Sequence, residues 1–177
     1  MTRWVALLRA VNLGARNRVP MPELRALLEA RGHGAVRTYI ASGNVLLDTR
    51  SRSRRRVAAE LEELVAEAFG VETAAILRTP DELATLVDGH PFGRDTSRTH
   101  VSFLAAEPDA AAVERLLEAD HGPDRVRVAG ADVYLHHPAG VQGARLGAAR
   151  LEQLLGVRGT ARNWRTVIRL AELAAEE

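Results

Sequence analysis

Cysteine is absent from all 177 residues, which removes disulfides, thiol nucleophiles and every cysteine-containing zinc site. Lysine is absent too: the 24 basic side chains are all arginine, so neither a Schiff-base lysine nor the phosphate lysine of a Walker loop is available. Anions must be met by guanidinium forks, backbone amides or hydroxyls. No stretch approaches the roughly 18 apolar residues of a membrane span, and the opening MTRWVALLRAVNLG lacks the small-residue cleavage pattern of a secretory signal. The expectation is a cytoplasmic protein with no membrane partner. A formal charge of +1 gives the whole chain no polyelectrolyte attraction to nucleic acid, although a local patch stays open. A compact chain of this length buries roughly 70% of its unfolded surface. Packing alone can therefore stabilise it.

Apolar periodicity orders what is present. Trp4 to Leu8 is a near-continuous apolar run and reads as a buried strand. After a polar connection from Asn12 to Val19, Pro22 suits a first helical turn, Leu24, Leu27 and Leu28 form a stripe, and Gly32 ends it. Val36 to Ala41 and Val45 to Asp48 are β-favouring runs on either side of Ser42, Gly43 and Asn44, so they predict a hairpin. Val57, Leu61, Leu64, Val65 and Ala68 recur at helical spacing up to Gly70; Thr73 to Leu77 is a further strand candidate and Pro80 to Val87 a short helix.

The turn-rich stretch GHPFGRDTSRT, residues 89–99, reads as a seam, after which the order repeats. His100 to Ala105 is strand-like, Pro108 to Ala119 helical, Arg125 to Val128 and Val133 to His136 pair across Gly130, and Ala144 to Leu155 is helical. The fold class is therefore α+β, with an internal duplication of two ferredoxin-like βαββα halves over 1–88 and 100–155. Residues 156–177 hold one more helix, Thr160 to Ala175, expected to pack back on the fold.

Three stretches, VALLRAVNLGARNRVPMPELRALLEARG, VRTYIASGNVLLDT and LGVRGTARNWRTVIRLAEL, together resemble the bacterial family of domain of unknown function 1697. The resemblance covers most of the chain, with the motifs in family order, and implies a cytoplasmic α+β fold without an assigned activity. The chain departs from the family's usual pattern at Ala10 and Ala15, where glycine is more frequent, and at Ala41, where glutamine is usual.

Candidate functional residues are arginines and amides rather than nucleophiles. Arg9, Asn12, Arg16, Asn17 and Arg18 lie at the end of the first strand and in the loop before the first helix, where ligands tend to sit. Arg9 directly follows an apolar run, so it should face a cleft or pair with an acid such as Asp48 or Glu23. Arg37 and Tyr39 share a strand face and could hold a base or a phosphate; Ser42 and Asn44 could present a hydroxyl and an amide, although turn geometry alone explains them. Arg162 and Asn163 lie at the expected start of the last helix, where free amides favour an anion. The run from Arg50 to Arg56 has no interleaved aromatic and reads as a solvated segment. Trp164 opens an apolar stripe and reads as a core anchor. His136 and His137 point to opposite strand faces, and no metal or dinucleotide motif occurs, so no metal and no cofactor is expected. The reading these residues favour is binding of an anionic ligand, a phosphate-bearing small molecule such as a nucleotide, or RNA. An enzyme acting on a small phosphorylated or carboxylated metabolite, with Ser42 or Tyr39 in the chemistry, and a structural or protein-interaction module are the alternatives.

Overall fold

A computed structural model describes residues 1–176 of the chain. It divides into two compact units, Met1–Ala84 with the last residues from Leu170 onward, and Thr85–Arg169. The first contains β1 (Thr2–Leu8), α1 (Met21–Ala30), β2 (Gly34–Tyr39), β3 (Asn44–Thr49), α2 (Arg54–Phe69) and β4 (Ala75–Arg78). Helix α3 (Pro80–Asp88) follows. The second contains β5 (Thr99–Leu104), α4 (Ala110–Glu118), β6 (Arg125–Ala129), β7 (Asp132–His136), α5 (Ala148–Leu155) and β8 (Gly159–Asn163), and α6 (Trp164–Ala175) ends the chain. The expected turn-rich stretch 89–99 falls inside the second unit.

Each unit is one antiparallel four-stranded sheet, ordered β2-β3-β1-β4 in the first and β6-β7-β5-β8 in the second. That order is the split β-α-β arrangement of ferredoxin-like folds. Each half therefore has six elements rather than five, because a fourth strand returns after the second helix. The expected helix from Thr160 is corrected by this strand: residues 160–163 are extended, with Arg162 opposite Val101 and Thr160 opposite Phe103 on β5. Gly159 and Ala161 carry no strand signal, and the helical stripe beginning at Trp164 masked the four residues before it.

The helices pack where their stripes predict, except that Ala68 at the end of the α2 stripe is exposed. Leu24 and Leu28 of α1 and Val57, Leu61, Leu64 and Val65 of α2 close over Trp4, Ala6, Leu8, Val45 and Leu47. In the second unit Ala112 and Leu116 of α4 and Leu151 and Leu155 of α5 cover Leu104, Val133 and Leu135. Helix α3 starts with a capping box, the Glu82 amide donating to Thr79 Oγ1 at 3.2 Å while the Thr79 amide donates to the Glu82 carboxylate at 2.8 Å.

The duplication is also visible residue by residue. Leu8 pairs with Ala75 and Val5 with Arg78 in the first sheet, as Leu104 pairs with Gly159 and Val101 with Arg162 in the second. Arg78 and Arg162 thus occupy the same place on the fourth strand, both are buried, and each donates Nη1 to the carbonyl of the residue before it, at 2.8 and 2.9 Å. The next position caps the following helix in both halves, through Thr79 Oγ1 and through Asn163 Oδ1, which accepts from the Thr166 amide at 2.9 Å.

Candidate functional site

The loop after β1 is built from backbone conformations that L-residues seldom adopt. Ala10, Asn12 and Asn17 have φ of 56°, 52° and 50°, and Ile40, in the facing hairpin turn, has 50°. Asparagine accepts this region; a β-branched isoleucine does so only under constraint. The constraint is a set of hydrogen bonds centred on Asn12. Its Nδ2 donates to Val19 O at 2.9 Å and to Ala41 O at 2.6 Å, its Oδ1 accepts from the Val19 amide at 2.8 Å, and its own amide donates to Asn17 O at 2.8 Å. Asn17 Nδ2 in turn donates to Ala10 O at 2.8 Å. Asn12 therefore ties the loop to the hairpin. Strained backbone of this kind concentrates at ligand clamps and switch regions.

Ala10 is the cheapest place to test that strain. Glycine takes its conformation freely, so Ala10→Gly should raise stability by roughly 0.5–1 kcal/mol, the left-handed cost recovered less the added freedom of the unfolded chain. Urea unfolding of the two proteins measures this, and a destabilised variant would show that the loop is not strained at this position.

Between loop and hairpin lies a cavity of about 570 Å³. Val19, Pro20, Met21, Ile40 and Ala41 give it an apolar wall, and Asn12, Arg18 and Thr38 supply polar groups. Its floor is the start of α1. Pro20 holds the N-cap position there and offers no side-chain bond, so the amides of Met21 and Glu23, Pro22 having none, receive no side-chain cap and the positive end of the helix dipole opens on the cavity. Arg18 is exposed. From Met1 to Pro22 the chain has no acidic residue, and Glu23, although in the first turn of α1, does not line the cavity.

Of the residues singled out from sequence, Asn12 and Arg18 are brought into this cavity. Arg16 and Asn17 are exposed on the same loop outside it. Arg9 is half-buried, its amide donating to Ala74 O at 2.9 Å and its carbonyl accepting from Thr73 Oγ1 at 2.7 Å, which holds it beside β4. Asp48, offered as its partner, is instead gripped by Arg3 at 2.8 and 3.1 Å. Arg37 is paired with the Glu176 carboxylate, and Tyr39, also on β2, is half-buried. Asn44 is fully buried and donates to Tyr39 O at 2.9 Å and Ser42 Oγ at 3.0 Å, an internal brace of the hairpin. Arg162 is buried in β8, bonded to Thr160 Oγ1 at 2.7 Å, and burial lowers its pKa to about 10. Asn163 spends its side chain on the cap of α6.

The uncapped helix start thus belongs to α1 and the capped one to α6, the reverse of what arginine placement suggested. Thr38 and Ile40 are the wall residues sequence reasoning passed over. Pro20-Met21-Pro22 carried the available signal, since no Ser, Thr, Asp or Asn stands where a cap would be.

The second unit holds a buried ionisable group of its own. Asp124 and His137 are both buried, with Oδ1 and Nδ1 3.2 Å apart, and the His100 ring lies 5.6 Å from that of His137. Burial would push the Asp124 carboxyl up, but the Leu146 amide, bonded to its Oδ2 at 2.9 Å, together with His137 holds it below the usual range. Among the described residues no group of three or more His, Asp or Glu is arranged to hold a metal, and no helix is long and apolar enough to cross a membrane.

Comparison with known proteins agrees with this architecture. Residues 1–134 match the model of a family described as protein of unknown function DUF1697, and the chain belongs to that family. No curated protein matches it. A solved structure, that of the conserved bacterial protein SP0830 from Streptococcus pneumoniae, is 20% identical over 98% of both chains with a TM-score of 0.79. This likeness establishes a shared fold.

Proposed function

We propose that this member of the DUF1697 family binds a small phosphate-bearing ligand with an apolar body, of the mononucleotide kind, in the cavity at the start of α1. The observation that carries the reading is the opening of an uncapped helix start onto a cavity of about 570 Å³ with Arg18 on its wall. The volume lies within the roughly 300–1,000 Å³ of small-molecule sites. Helix amides and a guanidinium fork are the groups that receive a phosphate in a chain without lysine. The wall formed by Val19, Pro20, Met21 and Ile40 suits a flat apolar body, and Asn12 and Thr38 offer fixed polar contacts.

Calorimetric titration with mononucleotides and sugar phosphates tests this. At least one should bind saturably, and Arg18→Ala should weaken it by roughly 10–100-fold, the loss of a charge-assisted hydrogen bond. The melting temperature should stay unchanged because Arg18 is exposed. Equal affinity in Arg18→Ala, or no binding by any of these ligands, would refute the assignment.

A further inference from the structure

The first unit has a second cavity, of about 420 Å³, at the opposite end of its sheet, where α1 ends, β3 ends and α2 begins. Three guanidinium groups, Arg31, Arg50 and Arg56, line it against one carboxylate, Glu60. Arg31 also bonds Glu67 at 2.8 Å. Arg50 and Arg56 are exposed, and Glu60 is already engaged by His33 Nε2 at 2.9 Å. The positive charge of the cavity is therefore not balanced by its own wall.

We propose that this cavity is an oxyanion site that takes a phosphate group, distinct from the site at the start of α1. Four features converge on it. The first turn of α2 carries Arg54, Arg55 and Arg56 and no acid, the reverse of what the helix dipole favours, and a bound anion would offset that cost. The hydroxyls of Thr49 and Ser51, both on the wall, accept from the Ser51 and Ser53 amides at 3.3 and 3.2 Å. Their own protons are left free to donate to an anion. His33 also lines the cavity and is 9% exposed, and its Nδ1 is buried without a hydrogen-bond partner. That nitrogen is closed to solvent, so an anion in the cavity would act on the ring through its charge and not through a bond to Nδ1. The arginine run that reads in sequence as a solvated segment is divided here: Arg54 is fixed to Glu82 at 2.6 and 2.8 Å, whereas Arg50 and Arg56 turn to the cavity.

Inorganic phosphate is the probe, compared with chloride at equal ionic strength. Phosphate should raise the melting temperature saturably, and in long-range ¹H–¹⁵N spectra it should move the His33 imidazole resonances. The double variant Arg50→Gln, Arg56→Gln should bind phosphate at least about tenfold more weakly and melt no lower than the parent in chloride, since it loses like-charge repulsion. Arg18→Ala, which alters the other cavity, should keep the His33 response, the readout local to this one. A full His33 response to phosphate in the double variant, an unmoved His33, or no stabilisation of the parent protein would each overturn the proposal.

Discussion

Gly43→Ala should be among the most damaging single-methyl additions this protein can receive, costing about 2–5 kcal/mol from a left-handed alanine of about 1–2 kcal/mol and overpacking of about 1–3 kcal/mol. Gly43 has φ of 82°, and a Cβ there would lie 2.6 Å from Val11 Cγ2 and 2.8 Å from Leu8 Cβ. The neighbours cannot yield easily. Leu8 is the last residue of β1, its amide donates to Gly43 O at 2.8 Å, and both Leu8 and Val11 are buried in the helix-covered core. The chain comes this close because the hairpin turn must reach the β1 loop for Asn12 Nδ2 to bond Ala41 O. The same substitution at Gly14 supplies the control. Its φ is 59°, but a Cβ there meets nothing within 4 Å, so only the conformational part of the cost applies. Urea unfolding should therefore rank Gly43→Ala below Gly14→Ala, and Gly43→Ala should weaken the ligand binding proposed for the α1 cavity as well. Equal losses at the two positions would show that the close approach does not govern the hairpin's place.

The contrast between these glycines explains how far the sequence could be read. The hairpin around Gly43 is evident in the chain itself, because β-branched runs, turn formers and alternation agree there, and such agreement across levels marks a segment whose local preferences match its fold. The same holds for α2, whose stripe from Val57 to Val65 faces the core as its spacing requires. Strand β8 fails that test. GTARN offers one β-branched residue, and what makes it a strand is the vacant edge of β5, a partner set by the second half's topology and not by its own composition. The duplication could have exposed it: Ala75–Arg78 follows the second helix of the first half, so an equivalent strand is due after α5. The site residues divide along the same line. Arg and Asn mark where a ligand could be held, but whether an amide is free depends on long-range partners. Asn12 and Asn44 look alike in sequence, yet one stands on the cavity wall and the other is sealed inside the hairpin. Buried Arg162 illustrates the limit from the other side, since its neighbours in sequence are those of a surface turn.

Trp164→Ala should cost about 3–5 kcal/mol, the range for removing a large buried aromatic. Trp164 opens α6 and is 6% exposed. Its ring lies 4.5 Å from that of His90 and 6.3 Å from that of Tyr134, both within the second unit. Tyr134 is held from its far end, its hydroxyl donating to Leu86 O at 2.6 Å, and His90 Nε2 stands 3.0 Å from Thr99 Oγ1. Truncating the indole therefore opens a void beside two rings that cannot collapse into it without breaking these bonds. A second readout separates this packing role from a generic loss of stability. Burial lowers the His90 pKa below the ordinary 6.5, and His136 adds to the effect. Because the folded value is depressed, His90 contributes stability that is fully present above the unfolded pKa and is lost as pH falls through the folded one. With the indole gone, water reaches the His90 ring, its pKa should rise toward 6.5, and this part of the acid-side loss should flatten. NMR titration of the His90 ring measures the shift directly, and pH-dependent urea unfolding measures its consequence. A variant that loses stability while His90 titrates unchanged would place the cost of the substitution outside the aromatic cluster. A variant with unchanged stability would remove Trp164 from the core altogether.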